Sequence, residues 1–137
     1  MTISADFKSR WFDLERLRED SFINEVEFRR ECVSTNDLAL SLTADNQSPT
    51  LVLTDSQTGG RGRGNNQWWA RDGSLTFSLR LMPADFSVVH KKWPLVSLTT
   101  AIAVADMLAE FAPHQTVGLK WPNDVFMNGR KLCGILV

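Results

Sequence analysis

Gln57-Thr58-Gly59-Gly60-Arg61-Gly62-Arg63-Gly64-Asn65-Asn66-Gln67-Trp68 packs half of the chain's eight glycines into six positions, with two arginines set between them. Backbone N–H groups without a neighbouring Cβ can approach an anion closely, and two guanidiniums supply paired donors for a carboxylate or phosphate. The composition predicts an anion-binding loop that is neither helix nor strand. A surface loop with solvated arginines is the competing reading on composition alone. No Gly-Lys-Ser/Thr ending follows and no helix opens directly after the glycines, which disfavours the Walker A and dinucleotide-binding classes.

Working outward, Leu51-Val52-Leu53 is a compact apolar run suited to a buried strand, and Asp45 to Pro49 before it supplies turn residues. Glu25 to Val33 alternates in part and reads as a strand with one solvated face. Ser34, Thr35 and Asn36 are all capable N-caps for a short helix that runs to about Thr43, with Asp37 in its first turn. A further helical stretch is predicted from Trp11 to about Arg18. On the other side of the loop, Leu75, Phe77, Leu79 and Leu81 alternate with Ser74, Thr76, Ser78 and Arg80 and predict the clearest strand of the chain. Apolar residues at helical spacing from Trp93 to Pro113 predict a long helix starting near Pro94, with Trp93, Met107 and Phe111 on its core face. Val117 to Trp121 is a short strand. Two apolar runs around Asn128-Gly129 then predict a hairpin with a type I' turn. Hairpins interleaved with helices favour a mixed sheet covered by helices.

At 137 residues the chain fits one globular domain. Its formal net charge is -1, and no basic stripe suited to duplex nucleic acid is visible. Cys32 and Cys133 form no Cys-x-x-Cys or Cys/His pattern, so free buried thiols in a reducing compartment are expected and zinc is not suggested. The N-terminal stretch has no apolar run long enough for a signal peptide or membrane span, which predicts a soluble cytoplasmic protein without a membrane partner. Trp69 reads as packing, and His90 and His114 as ordinary histidines near helix ends.

The second chemically loaded stretch is Lys120-Trp121-Pro122-Asn123-Asp124, followed by Arg130-Lys131-Leu132-Cys133-Gly134-Ile135-Leu136. Pro122 and Asn123 break a strand and set Asp124 at the start of the next. Lys131 stands just past the hairpin turn, and Gly134 removes a side chain where a ligand or another backbone can approach. By residue chemistry alone, Lys131 and Asp124 read better as ordinary charges without a role, and Gly134 as a bulge.

Taken in order, Ser34-Thr35-Asn36, the Gly/Arg loop ending in Trp68, the Ser74–Leu81 strand, Lys120–Asp124 and Lys131–Leu136 resemble the biotin protein ligase family, over nearly the whole chain from Phe28. The GRGR and KWPND strings are the specific ones, and they argue for biotin over the lipoate ligases and octanoyltransferases that share the fold. The resemblance implies an α/β (α+β) fold with a mixed, mainly antiparallel sheet covered by helices, similar to class II synthetases. Residues 1–27 would be a helical lead-in and 28–137 the N-terminal part of the catalytic domain.

The implied activity is ATP-dependent formation of biotinyl-5'-AMP and transfer of biotin to a lysine of a biotin carboxyl carrier protein. Ser34, Thr35, Asn36 and Gln57 would line the biotin pocket and read its ureido ring. Gly60, Arg61, Gly62, Arg63 and Gly64 would close over the biotin carboxylate and the α-phosphate of ATP, with Trp68 and Gly134 completing the contact set. Arg63 and Lys131 would be the catalytic cations. Lys120, Asn123 and Asp124 would lie near the nucleotide phosphates, Asp124 through magnesium. Many members carry an arginine two residues before the loop tryptophan, where this chain has Asn66, so that arginine's contacts are not implied here.

No helix-turn-helix precedes Phe28, so a DNA-binding arrangement is not expected. Members continue beyond the GIL segment with strands that complete the nucleotide site, whereas this sequence stops at Val137. Two alternatives follow: a biotin-binding fragment without catalysis, and lipoate or octanoate transfer on the same fold. An uncovered terminal strand would also favour self-association and weak ATP binding.

Overall fold

The computed structural model describes Ser9 and residues 12–43, 49–70, 73–82 and 90–137. These residues belong to two compact units, Met1–Phe86 and Ser87–Val137.

The first unit is built on one long strand. Helix α1 (Leu14–Glu19) is followed by β1 (Glu25–Cys32), α2 (Thr35–Ser41), β2 (Thr50–Arg61), β3 (Gln67–Ala70) and β4 (Thr76–Arg80). β1 lies parallel to β2, with Glu25 opposite Thr50 and Cys32 opposite Gln57. A parallel neighbour needs a crossover, and α2 supplies it. The other edge of β2 is shared: β4 pairs antiparallel with Thr50–Thr54, and β3 pairs antiparallel with the far end, Gly60 opposite Trp68. The expected mixed, mainly antiparallel sheet is therefore present.

With neighbours on both edges and both faces covered, β2 is buried from Thr50 to Thr54. Side chains alternate across a strand, so Leu51 and Leu53 share one face. There they cluster with Ile23 and Phe28, and Phe12, Leu14, Leu17, Val26 and Leu79 pack against them. Thr50, Val52 and Thr54 occupy the opposite face, and the cross-strand partners Thr76 and Ser78 lie on that same face. Asp13 caps α1 by accepting from the Arg16 N–H at 3.0 Å, so the helix opens at Leu14. Trp11, where the sequence predicts a helix start, and residues 45–48 of the predicted turn lie outside the described residues.

The second unit begins with a single 3-10 turn at His90–Lys92 that leads into α3 (Trp93–Phe111), with Pro94 in its first turn as the sequence predicts. Strands β5 (Val117–Lys120), β6 (Asp124–Met127) and β7 (Arg130–Gly134) form an antiparallel sheet in sequence order. Among the described residues of this unit, Val125 of β6 and Ala101 of α3 are buried. Asn128 and Gly129 both have positive φ, 51° and 75°, as a type I' turn requires. Asn128 also exchanges bonds with Thr116, its N–H donating to the carbonyl at 2.8 Å and its Oδ1 accepting from Thr116 N–H at 3.0 Å.

Two expectations are corrected. The Gly/Arg segment is not free of regular structure: β2 runs through Gly59, Gly60 and Arg61, and Trp68 stands in β3, because the second half of the segment folds back and pairs with the first. Trp93, Met107 and Phe111 do not form a core face of α3; they are exposed, Phe111 at 81 %. The helix is apolar around most of its circumference, so spacing does not select the buried stripe, which centres on the small Ala101. Among the described residues, no helix is long and apolar enough to cross a membrane.

Candidate functional site

In the first unit a polar cluster forms where α2 begins. Ser34 is the N-cap: its Oγ accepts from Asp37 N–H at 3.3 Å, and the residue is 4 % exposed. Its acceptor capacity is thus partly spent on the helix, which leaves its hydroxyl proton for another partner. Thr35, equally buried, donates its N–H to Gln57 Oε1 at 2.8 Å, with its hydroxyl 3.3 Å from the same oxygen. The register of β1 on β2 explains this meeting. Cys32 pairs with Gln57, so a chain leaving β1 two residues later starts its helix beside that glutamine.

Ser78, on β4, completes the cluster. Its Oγ lies 2.9 Å from Thr35 Oγ1 and 2.7 Å from Asn36 Oδ1. Sequence reasoning missed this residue as a site member. The available signal was the polar half of the Ser74–Leu81 alternation, since Thr76 is buried whereas Leu75 and Phe77 are exposed. Asn36 Nδ2 and Gln57 Nε2 remain without hydrogen-bond partners among the described residues. The cluster therefore offers two amide donors beside a threonine hydroxyl, a set able to meet a carbonyl flanked by N–H groups.

The Gly/Arg hairpin adjoins this cluster in sequence and in space. A Cβ on Gly60 would fall against Gln57 Nε2 and come within 2.6 Å of the Trp68 carbonyl. Only glycine lets the glutamine amide lie over the strand there. Gly62 N–H donates to Asn66 O at 2.7 Å, Gly64 takes φ +67°, and Asn66 Nδ2 bonds Arg63 O at 2.9 Å. Asn66 thus closes the turn. Arg61 is ion-paired with Asp37 of α2, while the exposed Arg63 guanidinium has no side-chain partner among the described residues.

The second unit carries the remaining candidates. Lys131 Nζ stands 2.8 Å from Asp124 Oδ1; the carboxylate side chain is 18 % exposed and the lysine 40 %. The two meet because β6 and β7 pair antiparallel through a register shift between Val125 and Phe126. Gly134 faces Asp124 at the end of the ladder. Asn123 holds the chain that follows, its Nδ2 donating to Ile135 O at 2.7 Å and its carbonyl accepting from Ile135 N–H at 2.9 Å. Lys120 Nζ lies 6.0 Å from the centre of the Phe126 ring, at the outer range of a cation–π contact. Cys133 and Cys32 are free thiols. Burial pushes the Cys133 thiol above its ordinary range, with Asp124 adding to the effect and Lys131 opposing it.

Residues 29–137 match the pattern of the Biotin/lipoate A/B protein ligase family. The chain belongs to that family. Within it, the chain is 42 % identical over 96 residues to the bifunctional ligase/repressor BirA of Bacillus subtilis, covering 68 % of this chain and 28 % of the relative. It is 34 % identical over 105 residues to the biotin–[acetyl-CoA-carboxylase] ligase of Paracoccus denitrificans, covering 76 % of this chain and 42 % of that one. Among solved structures it is similar to the biotin protein ligase from Aquifex aeolicus in complex with biotin and ATP. That match has a TM-score of 0.64 and 30 % identity, over 83 % of this chain and 46 % of the other. The chain spans less than half the length of each of these curated relatives.

Proposed function

We propose that this ligase-family chain binds biotin and takes part in its adenylation and transfer to a carrier-protein lysine. The observation that carries the reading is the cluster of Thr35, Asn36 and Gln57, whose open amide donors and hydroxyl suit a cyclic urea. The names of its relatives, ligases acting with biotin, support the same substrate. In the proposed reaction a biotin carboxylate oxygen attacks the α-phosphorus of ATP and pyrophosphate leaves. The amine of the carrier lysine then attacks the acyl carbon, and AMP leaves. Arg63 stabilises the charge that gathers on the phosphoryl oxygens, and Lys131 sits against the carboxylate and the acyl phosphate. Arg61 and the loop N–H groups close over the same anions, with Trp68 and Gly134 in contact with the adenylate. The hairpin then shields the mixed anhydride from water.

Among the described residues, no group of three or more His, Cys, Asp or Glu is placed to hold a metal ion. Asp124 offers a single carboxylate already engaged by Lys131. These residues do not build a resident metal site, and in this reading magnesium arrives with ATP as part of the substrate. Titration calorimetry with biotin, lipoate and ATP separately tests the assignment. Biotin heat without lipoate heat is the expected result, and tighter binding of lipoate refutes the substrate.

A further inference from the structure

Ser78 lies outside the loop and helix motifs, yet three side-chain contacts meet at or beside it. Ser78 Oγ reaches Asn36 Oδ1 at 2.7 Å and Thr35 Oγ1 at 2.9 Å, and Thr35 Oγ1 stands 3.3 Å from Gln57 Oε1. Two hydroxyls own two protons between them, so at most two of these three contacts are hydrogen bonds at any moment. Asn36 Oδ1 and Gln57 Oε1 are acceptors only. The shortest contact requires Ser78 to donate to Asn36 Oδ1. The Ser78–Thr35 contact then exists as a bond only if Thr35 donates to Ser78. This leaves Gln57 Oε1 with the Thr35 backbone N–H, the shorter of its two contacts at 2.8 Å. The favoured arrangement is therefore a directed chain, Thr35 hydroxyl to Ser78 hydroxyl to Asn36 carbonyl.

We infer that Ser78 is a positioning residue that sets the donor and acceptor polarity of the biotin pocket, an inference that rests on the biotin reading above. By taking the Asn36 oxygen it holds that amide with its Nδ2 donors free, and by accepting the Thr35 proton it leaves the Thr35 oxygen as an acceptor. A urea needs that combination: donors for its carbonyl and an acceptor for an N–H. The fold holds Ser78 in place rigidly. It sits in β4 opposite the fully buried Val52, on the sheet face where α2 starts. Without the hydroxyl, Thr35 turns to Gln57 Oε1 and the Asn36 amide is free to rotate, so the pocket loses its polarity without losing its shape.

The test uses the whole 137-residue chain and four versions of it: wild type, Ser78→Ala, and the isosteric pair Ser78→Thr and Ser78→Val. Biotin, lipoate and desthiobiotin, which keeps the urea, are titrated calorimetrically, and each variant's melting temperature is recorded. Ser78→Ala should bind biotin and desthiobiotin about tenfold more weakly, the loss expected for one or two oriented hydrogen bonds. Lipoate should give no heat with any of the four. Ser78→Thr should stay within about threefold of wild type and Ser78→Val should not, although the two have the same shape. If Ser78→Ala does not fold, the Thr and Val pair decides alone. Equal urea binding by the Thr and Val variants overturns the role of Ser78 while leaving the biotin reading standing. A wild-type chain that gives no biotin heat overturns both.

Discussion

Gly60→Ala probes the junction between the pocket and the loop most directly. The added methyl would meet Gln57 Nε2 and would lie 2.6 Å from the Trp68 carbonyl, closer than real Cβ atoms approach any heavy atom. The glutamine cannot simply swing away, because its Oε1 receives the N–H of buried Thr35 at 2.8 Å. The carbonyl is backbone in the β2–β3 ladder and is no freer to move. Overpacking of this kind costs about 1–3 kcal/mol. For a unit of this size, Met1–Phe86, each kcal/mol lowers the melting temperature by about 4–8 °C, so a fall of roughly 4–24 °C is expected. If Gln57 yields instead, the cost appears as lost biotin affinity, about tenfold or more once the Thr35 N–H goes unpaired. Gly59→Ala is the matched comparison. Its Cβ would lie 2.7 Å from Val33 Cγ1, the end of a side chain that is itself 65 % exposed and free to rotate. Thermal melts and biotin titrations on both variants check the reasoning. Equal melting temperatures and equal biotin affinities for the two would show that the close approach at Gly60 does not constrain the site.

Arg63→Ala should speed loss of biotinyl-adenylate by about tenfold or more while changing biotin affinity by less than about threefold, because the contact removed is charge-assisted and directed at phosphate; equal losses would refute that division, and filter-binding off-rates measure it. Lys131→Ala should cut pyrophosphate release strongly yet shift the melting temperature by only a few degrees, since a pair with a lysine 40 % exposed contributes about 0–1 kcal/mol. A large melting shift with unchanged turnover would make Lys131 a structural residue. Burial raises both thiols above their ordinary value of 9.0, so each is neutral in the folded chain after the unfolded chain has begun to ionise. Their contribution to stability is complete below that value and is lost as pH climbs through the folded pKa values. Urea unfolding across this alkaline range should show the decline, and Cys133→Ser should flatten it.

Where local chemistry decides conformation, the sequence was readable. Asn128-Gly129 tolerates positive φ at both turn positions, and Ser34 supplies an N-cap oxygen, so the hairpin and the start of α2 follow from a few adjacent residues. Where pairing between distant residues decides, it was not. Gly59–Arg61 has the composition of a loop and becomes strand only because Gln67 and Trp68 return to pair with it. The faces of β4 were hidden for a related reason. An alternating strand is expected to bury its apolar side, but Thr76 is buried while Leu75 and Phe77 are half exposed or more. Ser78, on the same face as Thr76, finds partners in Thr35 and Asn36, residues more than forty positions away, so its place in the site is legible only once β4 is laid against β2.

The same long-range pairings explain why pocket and loop act as one piece. Helix α2 carries Thr35, Asn36 and Asp37 in succession, and β2 carries Gln57, Gly60 and Arg61. Thr35 is tied to Gln57, and Asp37 to Arg61. The first tie involves a buried backbone N–H and resists breaking; the second joins exposed side chains and contributes only about 0–1 kcal/mol. An arriving carboxylate or phosphate can therefore draw Arg61 from Asp37 at little cost, and Asp37 keeps the favourable field of the helix N-terminus after the arginine leaves. The rigid tie holds Thr35 against Gln57 whether or not the labile one is made. If the proposed function holds, a ligand held by Thr35, Asn36 and Gln57 would find Arg61 ready to exchange Asp37 for its anionic group, so Arg61→Ala should weaken an anionic ligand more than a neutral analogue with the same ring.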